Sequence, residues 1–535
     1  DAPLPIVEWK RRILSDARKR SEIMQHIQAL YGKAQRWLVS FWTEYKWCIL
    51  SGMFVGLIAY MFTFTNKLPN HDDVFFMFEK GATIEIGRWG LELLSCIFPD
   101  YSMPWIYGLI TLMCLSVSAG LIAYTFRIHG KLPQVLLGGL IVVFPTMIGV
   151  FSYMFMSSSF AFAFLLATLA FVLVSRDRNP VKNAVLGTLL MILSLSIYQA
   201  YISLTVSLLV VYLIQKLIKT DASAKDIVLS GIRYICFALA ALVLYYGITR
   251  LILSALSMDM NEYAQKALSN TSDNGILARI RMIFAAPLYI LFKGLYGLTP
   301  SRFSKCLHAF CLLLTGIQLL CWLLSAKSGK RRWLLPLLLL SLLFSLNMLF
   351  FIINPKSIHT LVQYGYVSMY VLFIILACPE DSIANASRRF SVLIPKAFYA
   401  LMLLIMVHNV YLANEASLLQ FVNFQSECSE LSGIITRVES MPEYQPGTKL
   451  ALIGIESTSR PNVSQLFSSA RRITGIAEYY YSYEQLMRLY LGYNGEFASA
   501  EEKAELQGTA EFAEMQAYPY YGSIHAIDGY IVVKF

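Results

Sequence analysis

Residues 158–175 read SSFAFAFLLATLAFVLVS, eighteen consecutive residues without a charged side chain. At 1.5 Å per residue, a helix of this length crosses most of the roughly 30 Å hydrocarbon core of a bilayer. Similar runs recur along the chain, and they are too long and too continuous for the alternating strands of a membrane barrel. Because backbone polar groups inside a bilayer must pair within their own segment, the runs are predicted to be helices.

The overall composition indicates the same class of protein. Hydrophobic residues make up 57% of the 535 residues and charged residues 15%, whereas soluble chains carry about 25% charged residues. The nine cysteines include no C-x-x-C pair, so neither a disulfide framework nor a zinc site is predicted. A bridge between Cys96 and Cys428, both predicted to lie outside, stays an open alternative.

About eleven transmembrane helices are predicted. They lie at residues 47–65, 104–126, 132–152, 158–175, 184–199, 200–218, 230–254, 304–325, 333–353, 365–378 and 396–413. Segment 282–298 contains Pro287, Lys293 and two glycines, and is predicted to be re-entrant or interfacial.

Lysine and arginine accumulate in alternate short loops, which places the N-terminus in the cytoplasm and the C-terminus outside. This asymmetry accounts for the net charge of +10, so no nucleic-acid partner is expected. Three parts follow: a basic amphipathic segment at 1–45 on the cytoplasmic surface, a transmembrane domain at 46–413, and a small exoplasmic α/β domain at 414–535. In this last part, helices are predicted at 415–438 and around 483–493 and 500–507, and strands in the run that begins at Lys449 and at 530–535.

The first predicted outer loop, residues 66–103, holds six acidic and three basic residues. Asp72 and Asp73 follow His71 directly after the first span, and such a pair can hold a general base at the membrane surface. The alternative is a helix cap with acidic residues in its first turn. Both interpretations stay open at this stage.

Further along the same loop, Gly87-Arg88-Trp89-Gly90 predicts a helix lying on the membrane, with Arg88 able to bind an anionic group. Simple anchoring is the alternative. Outer cations that could stabilise a phosphate are Arg279, Arg281, Lys293, Arg302, Lys356 and His359. Tyrosines on the same side, among them Tyr198 and Tyr364, could stack on sugars or form the interfacial belt.

Two groups of motifs resemble a known family. The order of first span, Asp72-Asp73 turn, aromatic stretch, Gly87-Arg88-Trp89 and Pro104-Trp105 resembles the bacterial Gtr-type glucosyltransferases, which decorate O-antigen and related surface polysaccharides. Tyr198-Gln199 is similar to a Tyr-Gln turn in that family. The resemblance covers about the first 410 residues, and the wider group is the GT-C class of glycosyltransferases.

The resemblance implies a GT-C-like fold in a bacterial inner membrane, with a periplasmic C-terminus. It implies a polyprenyl-phosphate sugar as donor, glucose above other hexoses, a glycan acceptor, and a partner synthase and flippase that supply the donor. No cofactor is expected, no metal ligand is assigned, and help from a divalent ion stays open. Asp72 is the first choice for the base and Asp73 the second. The predicted substrate contacts are His71, Arg88, Trp89, Tyr198, Gln199, Lys293, Arg302, His359 and Tyr364.

The residues themselves point the same way, because no nucleotide-binding motif occurs in a suitable context and an outer transferase needs a lipid-borne donor. A flippase or transporter is the second hypothesis, although the predicted spans hold almost no charged residues and His308 and His408 are the nearest candidates. A non-catalytic membrane scaffold that displays the tail is the third.

Overall fold

The computed structural model describes residues 4–77, 83–99, 101–261, 265, 276–293, 301–324, 326–352, 360–378, 388–455 and 482–535. In the described part of the first half of the chain, all the regular elements are helices. In chain order its elements are α1 (Leu4–Thr65), α2 (His71–Phe75), α3 (Trp89–Leu94), α4 (Pro104–Phe126), α5 (Lys131–Val142), α6 (Pro145–Ser152), α7 (Met154–Val174), α8 (Pro180–Ile197), α9 (Tyr201–Lys219) and α10 (Ala224–Ala255).

Helices continue in the second half of the chain, which ends in a small mixed C-terminal unit. The helices of this half are α11 (Ile276–Leu288, continued by a π turn at Tyr289–Lys293), α12 (Arg302–Leu324), α13 (Leu334–Leu346), α14 (Leu349–Ile352), α15 (Val367–Ala377), α16 (Arg388–Glu439), α17 (Tyr483–Leu491), α18 (Ala500–Gln507) and α19 (Ala510–Glu514). Its strands are β1 (Lys449–Ile453), β2 (Ile524–Ile527) and β3 (Tyr530–Lys534). Short 3₁₀ turns lie at Thr360–Val362 and Tyr364–Tyr366.

The class predicted from the sequence is confirmed: this is a helical, multi-pass membrane protein. Within the described residues, eight helices are long and apolar enough to cross a bilayer, and α5 with α6 forms a ninth candidate that is bent by 45°. The predicted spans 333–353 and 365–378 are shorter helices, α13 with α14 and α15. The count of eleven therefore stays a prediction.

The early spans form the centre of the bundle. The most apolar stretch of α7 is 78% buried, whereas that of α12 is only 28% buried, so α12 presents most of its surface outward. Small residues permit the close packing: a Cβ on Gly138 of α5 would collide with the carbonyl of Cys48 in α1. This core fixes the positions of the loops that join the spans.

Two helices extend well beyond the predicted spans. Helix α1 has no break near residue 45, where the sequence suggested a boundary between a surface segment and the first span. Helix α16 is 52 residues long and runs through the predicted boundary at 413 into the tail. The stretch 415–438, predicted as a separate tail helix, is therefore the continuation of the last span.

The tail contains a three-stranded sheet in the order β1-β3-β2. Strand β1 pairs with β3 in parallel, with Leu450 opposite Ile531, and β2 pairs with β3 antiparallel. The strands predicted at 449 and 530–535, and the helices predicted around 483–493 and 500–507, are present. One face of the sheet packs on α16 and α17, which joins the tail to the last span.

Candidate functional site

The acidic turn, defined here as residues 68–76, contains the short helix α2. Asn70 is its N-cap, and its side-chain oxygen accepts a hydrogen bond from the Asp73 backbone N–H at 2.9 Å. The capping alternative raised by the sequence is therefore present. This cap does not exclude a chemical role for either carboxylate. The two differ in exposure: the Asp73 side chain is 1% exposed and that of Asp72 is 28% exposed.

Asp73 is an almost fully buried acid. Lys67 Nζ lies 3.7 Å from Asp73 Oδ2 and donates to the Ser102 carbonyl at 3.3 Å. Burial raises the pKa of Asp73, and the Lys67 charge and hydrogen bonding from Ser102 partly offset that rise. A buried carboxylate of this kind has little access to an incoming substrate.

Asp72 keeps contact with solvent and has an imidazole beside it. His71 Nε2 lies 3.9 Å from Asp72 Oδ1, and the His71 ring meets Tyr153 edge to face with centroids 6.0 Å apart. Burial lowers the pKa of His71 more than Asp72 raises it, so the imidazole is neutral near pH 7. Of the two predicted carboxylates, Asp72 is the one that stays accessible to solvent.

The second part of the loop, residues 83–89, is called the arginine turn. Gly87 adopts a φ of +80°, and its carbonyl accepts a hydrogen bond from Tyr245 Oη at 2.9 Å. Gln199 Nε2 donates to Tyr245 Oη at 2.9 Å and to the Ile86 carbonyl at 3.0 Å. The predicted ligand Gln199 therefore fixes the backbone of the turn.

Arg88 projects from this turn over Tyr198. Its guanidinium carbon lies 4.9 Å from the centre of the Tyr198 ring, a cation–π arrangement that orients the charge. Arg88 Nε is buried and has no hydrogen-bond partner among the described residues. Trp89 Nε1 donates to Thr249 Oγ1 at 3.2 Å. The arginine is held in place, yet it retains capacity to bind an anion.

The helix after Arg88, α3, was predicted from the sequence to lie on the membrane, and that placement stays a prediction. Helix α3 packs on α8, where a Cβ on Gly90 would collide with Ser196 Oγ and approach the Ser196 carbonyl to 3.0 Å. The side of α3 that carries Gly90 and Leu91 is buried, whereas Leu93 is exposed. Trp89 is held by its hydrogen bond to Thr249 of α10.

The acidic turn contacts the beginning of α7 directly, and the arginine turn is linked to it through Tyr198. His71 packs on Tyr153, the residue before α7, and Phe160 within α7 packs on Tyr198 at 4.6 Å between ring centres. Phe160 lies six residues after Met154, a rise of about 9 Å along the helix. The first two turns of α7 therefore connect the surroundings of Asp72 with those of Arg88.

The predicted sugar-stacking tyrosines are not available as surfaces. Tyr364 is fully buried, with its ring centre 4.4 Å from that of Tyr201 and 6.0 Å from that of Tyr198. Tyr198 is also buried and donates to the Leu361 carbonyl at 3.3 Å. The structure corrects both predictions, because these rings form a packed aromatic cluster that supports Arg88.

Of the other cations predicted as substrate contacts, the structure describes the side chain of Arg302. Arg302 is exposed at the start of α12. Lys293 ends the π turn after α11, but its side chain lies outside the described part of the structure, as does His359 altogether. No cluster of three or more His, Cys, Asp or Glu that could hold a metal ion occurs within the described ranges.

Sequence reasoning missed four supporting residues: Lys67, Tyr245, Thr249 and Gln420. Tyr245 and Thr249 lie four residues apart in α10, so both face the loop from one side of the helix. That spacing of polar groups within an apolar run was a usable signal. Nothing local could reveal Gln420, whose partners lie some 350 residues earlier.

A model of the family described as Glucosyl transferase GtrII matches residues 61–376. The matched range contains the acidic turn, the arginine turn and the Tyr198-Gln199 pair. No curated protein and no solved structure matched the chain. Since the match covers more than half of the sequence and both halves of the candidate site, the chain belongs to the GtrII glucosyltransferase family.

Proposed function

We propose that this protein is an inverting glycosyltransferase of the GT-C type, which moves a hexose, glucose in the first instance, from a polyprenyl-phosphate donor. The acceptor is a surface glycan or a lipid-linked oligosaccharide on the exoplasmic face. One observation carries the proposal: a solvent-accessible carboxylate, Asp72, and an immobilised arginine, Arg88, both pack through their neighbours on the start of α7.

In the proposed reaction Asp72 accepts the proton of an acceptor hydroxyl while the oxygen of that hydroxyl attacks the anomeric carbon of the donor sugar. The bond from that carbon to the phosphate oxygen breaks, polyprenyl phosphate leaves with the electron pair, and the configuration inverts. Arg88 donates to the phosphate oxygens as charge accumulates on them, and these charge-assisted bonds are stronger than neutral ones. His71 is a neighbour that helps to set the surroundings of the base.

The proposed setting is a bacterial inner membrane, with the N-terminus in the cytoplasm and the C-terminus in the periplasm. The bilayer would hold the isoprenoid chain of the donor, and a separate synthase and flippase would supply it. The family assignment supports glucosyl transfer, and the excess of lysine and arginine in alternate loops supports this orientation.

The test uses the purified chain in lipid vesicles with a panel of polyprenyl-phosphate sugars, and measures released polyprenyl phosphate together with sugar transferred. We expect release with one hexose donor, its loss in Asp72→Asn, and its retention in Asp259→Asn, an exposed carboxylate predicted to lie on the same face. Movement of donor across the bilayer without release of phosphate would instead support a flippase. Full activity in Asp72→Asn would exclude the proposed base.

A further inference from the structure

The outer half of α16 grips the segment that leads into the acidic turn. Thr63 Oγ1 and Ser417 Oγ are 2.8 Å apart, and the rings of Phe62 and Phe421 meet edge to face at 5.7 Å. The first and last spans are therefore joined where the first outer loop begins.

Gln420 extends this contact to the loop backbone. Its Nε2 donates to the Leu68 carbonyl at 3.0 Å and to the Pro69 carbonyl at 3.4 Å. These carbonyls directly precede the N-cap Asn70, and Gln420 is only 2% exposed. A buried carbonyl that loses its donor is costly, so these two bonds constrain where α2 can begin.

The tail also contacts α2 itself. Val74 is fully buried, and it belongs to the hydrophobic cluster of the tail together with Leu431 of α16 and Leu486 and Met487 of α17. Asp73 also acts on Tyr490 of α17, since its charge adds to the burial that raises the pKa of that phenol. The acidic turn therefore packs partly in the core of the C-terminal unit.

Helix α2 has only five residues. Isolated helices shorter than about 12 residues are marginal in water, so the direction of α2 is set by its contacts and not by its own stability. Asp72 lies between the backbone position fixed by Gln420 and the side chain fixed by the tail. The Gln420 contact and the tail contact together therefore set the direction in which the Asp72 carboxylate points.

We propose that the C-terminal unit positions the general base: Gln420 of α16, with the Val74 contact to α17, holds the acidic turn so that the Asp72 carboxylate faces the acceptor. Gln420 is a positioning residue and touches no substrate. This inference rests on the proposed role of Asp72. It assigns to the tail a direct part in the chemistry of a site that lies in the first outer loop.

The chain offers a matched control for Gln420. Gln134 is also 2% exposed, and its Nε2 also donates to two backbone carbonyls, those of Glu44 at 2.9 Å and Ile128 at 3.3 Å. It joins α5 to α1 on the predicted cytoplasmic side. Gln420→Leu and Gln134→Leu therefore each remove two buried hydrogen bonds from a side-chain amide to backbone carbonyls, at two different places in the fold.

The experiment compares these two full-length variants with the wild type for melting temperature, kcat and donor KM. We expect both to lose thermal stability. Only Gln420→Leu should lose kcat, by about tenfold or more, with donor KM within a factor of two, because the arginine turn is held elsewhere. Equal kcat values in the two variants, or a loss in Gln420→Leu confined to donor KM, would overturn the proposal.

A second pair covers the case in which Gln420→Leu does not fold. Val74→Ala and Val532→Ala both remove two methyl groups from fully buried sites, but Val532 lies in a different hydrophobic cluster of the tail. A kcat loss restricted to Val74→Ala supports the positioning role, and similar kcat values in both refute it. Asp72→Asn is measured in parallel: if that variant stays active, the proposed function itself has failed.

Discussion

The acidic turn and the arginine turn belong to one loop of 38 residues, 66–103, yet different parts of the fold support them. Gln420 and the tail cluster hold the acidic turn, whereas Gln199, Tyr245 and Thr249 of the bundle hold the arginine turn. Under the proposed mechanism, the tail would orient the group that accepts the proton of the acceptor, and the spans would orient the group that binds the donor phosphate.

The largest expected effect is that of Asp72→Asn. General base catalysis contributes roughly 10² to 10⁴ in rate, so kcat should fall by that factor while donor binding changes little. Rates of sugar transfer at saturating donor, with donor affinity measured separately, check this. A loss of donor affinity with an unchanged kcat would place the carboxylate on the donor side and erase the division between the turns.

Arg88→Ala should follow in size. A charge-assisted hydrogen bond is worth roughly 1.5 to 3 kcal/mol, so kcat/KM for the donor should fall by roughly ten- to a hundredfold. Arg88→Lys keeps the charge but not the planar fork, and should recover only part of the loss. Arg250→Ala, which removes an exposed cation at the outer end of α10, should leave the kinetics unchanged. Equal effects at 88 and 250 would refute a specific phosphate contact.

Tyr245→Phe probes the support of the arginine turn without touching Arg88. It removes the hydroxyl that donates to Gly87 and accepts from Gln199, so we expect donor KM to rise by roughly three- to tenfold with kcat nearly constant. Tyr246→Phe, the same change at the adjacent exposed tyrosine, is the control. A kcat loss in Tyr245→Phe would show that the two turns are coupled.

The smallest expected effect is a pH-dependent change in the stability of the folded chain, caused by Asp73. Because the pKa of Asp73 is raised in the folded state, the folded chain holds that proton more tightly, and stability falls as pH rises above about 3.8 through the raised value. Asp73→Asn abolishes this loss. Melting temperatures from pH 4 to 8 should show the variant gaining on the wild type as pH rises. A gap that is constant with pH would contradict the prediction.

How much the sequence could predict depends on the range of the interactions. The helical structure of the apolar runs, the β1 strand and the helices around 483–493 and 500–507 follow from local pattern and were predicted correctly. The difference in exposure between Asp72 and Asp73 could not be predicted, because α2 packs on α17, far along the chain. The burial of Tyr364 likewise results from packing of a 3₁₀ turn against α9.

The end of the last span shows a different limit. Hydropathy falls near residue 413, which led to a predicted boundary there, but α16 continues to Glu439. Backbone hydrogen bonding within a helix does not depend on whether the side chains face lipid or water. Polarity therefore marked the predicted exit from the membrane and not the end of the element.

That uninterrupted helix, about 78 Å long at 1.5 Å per residue, has a consequence for exchanging parts between family members. A swap of outer domains cut near 413 would separate Gln420 from the loop with which it pairs. A cut in the turn after Glu439 would preserve that pairing. Chimeras should therefore be joined after the end of α16, and the first loop should be transferred together with α16, which contacts it.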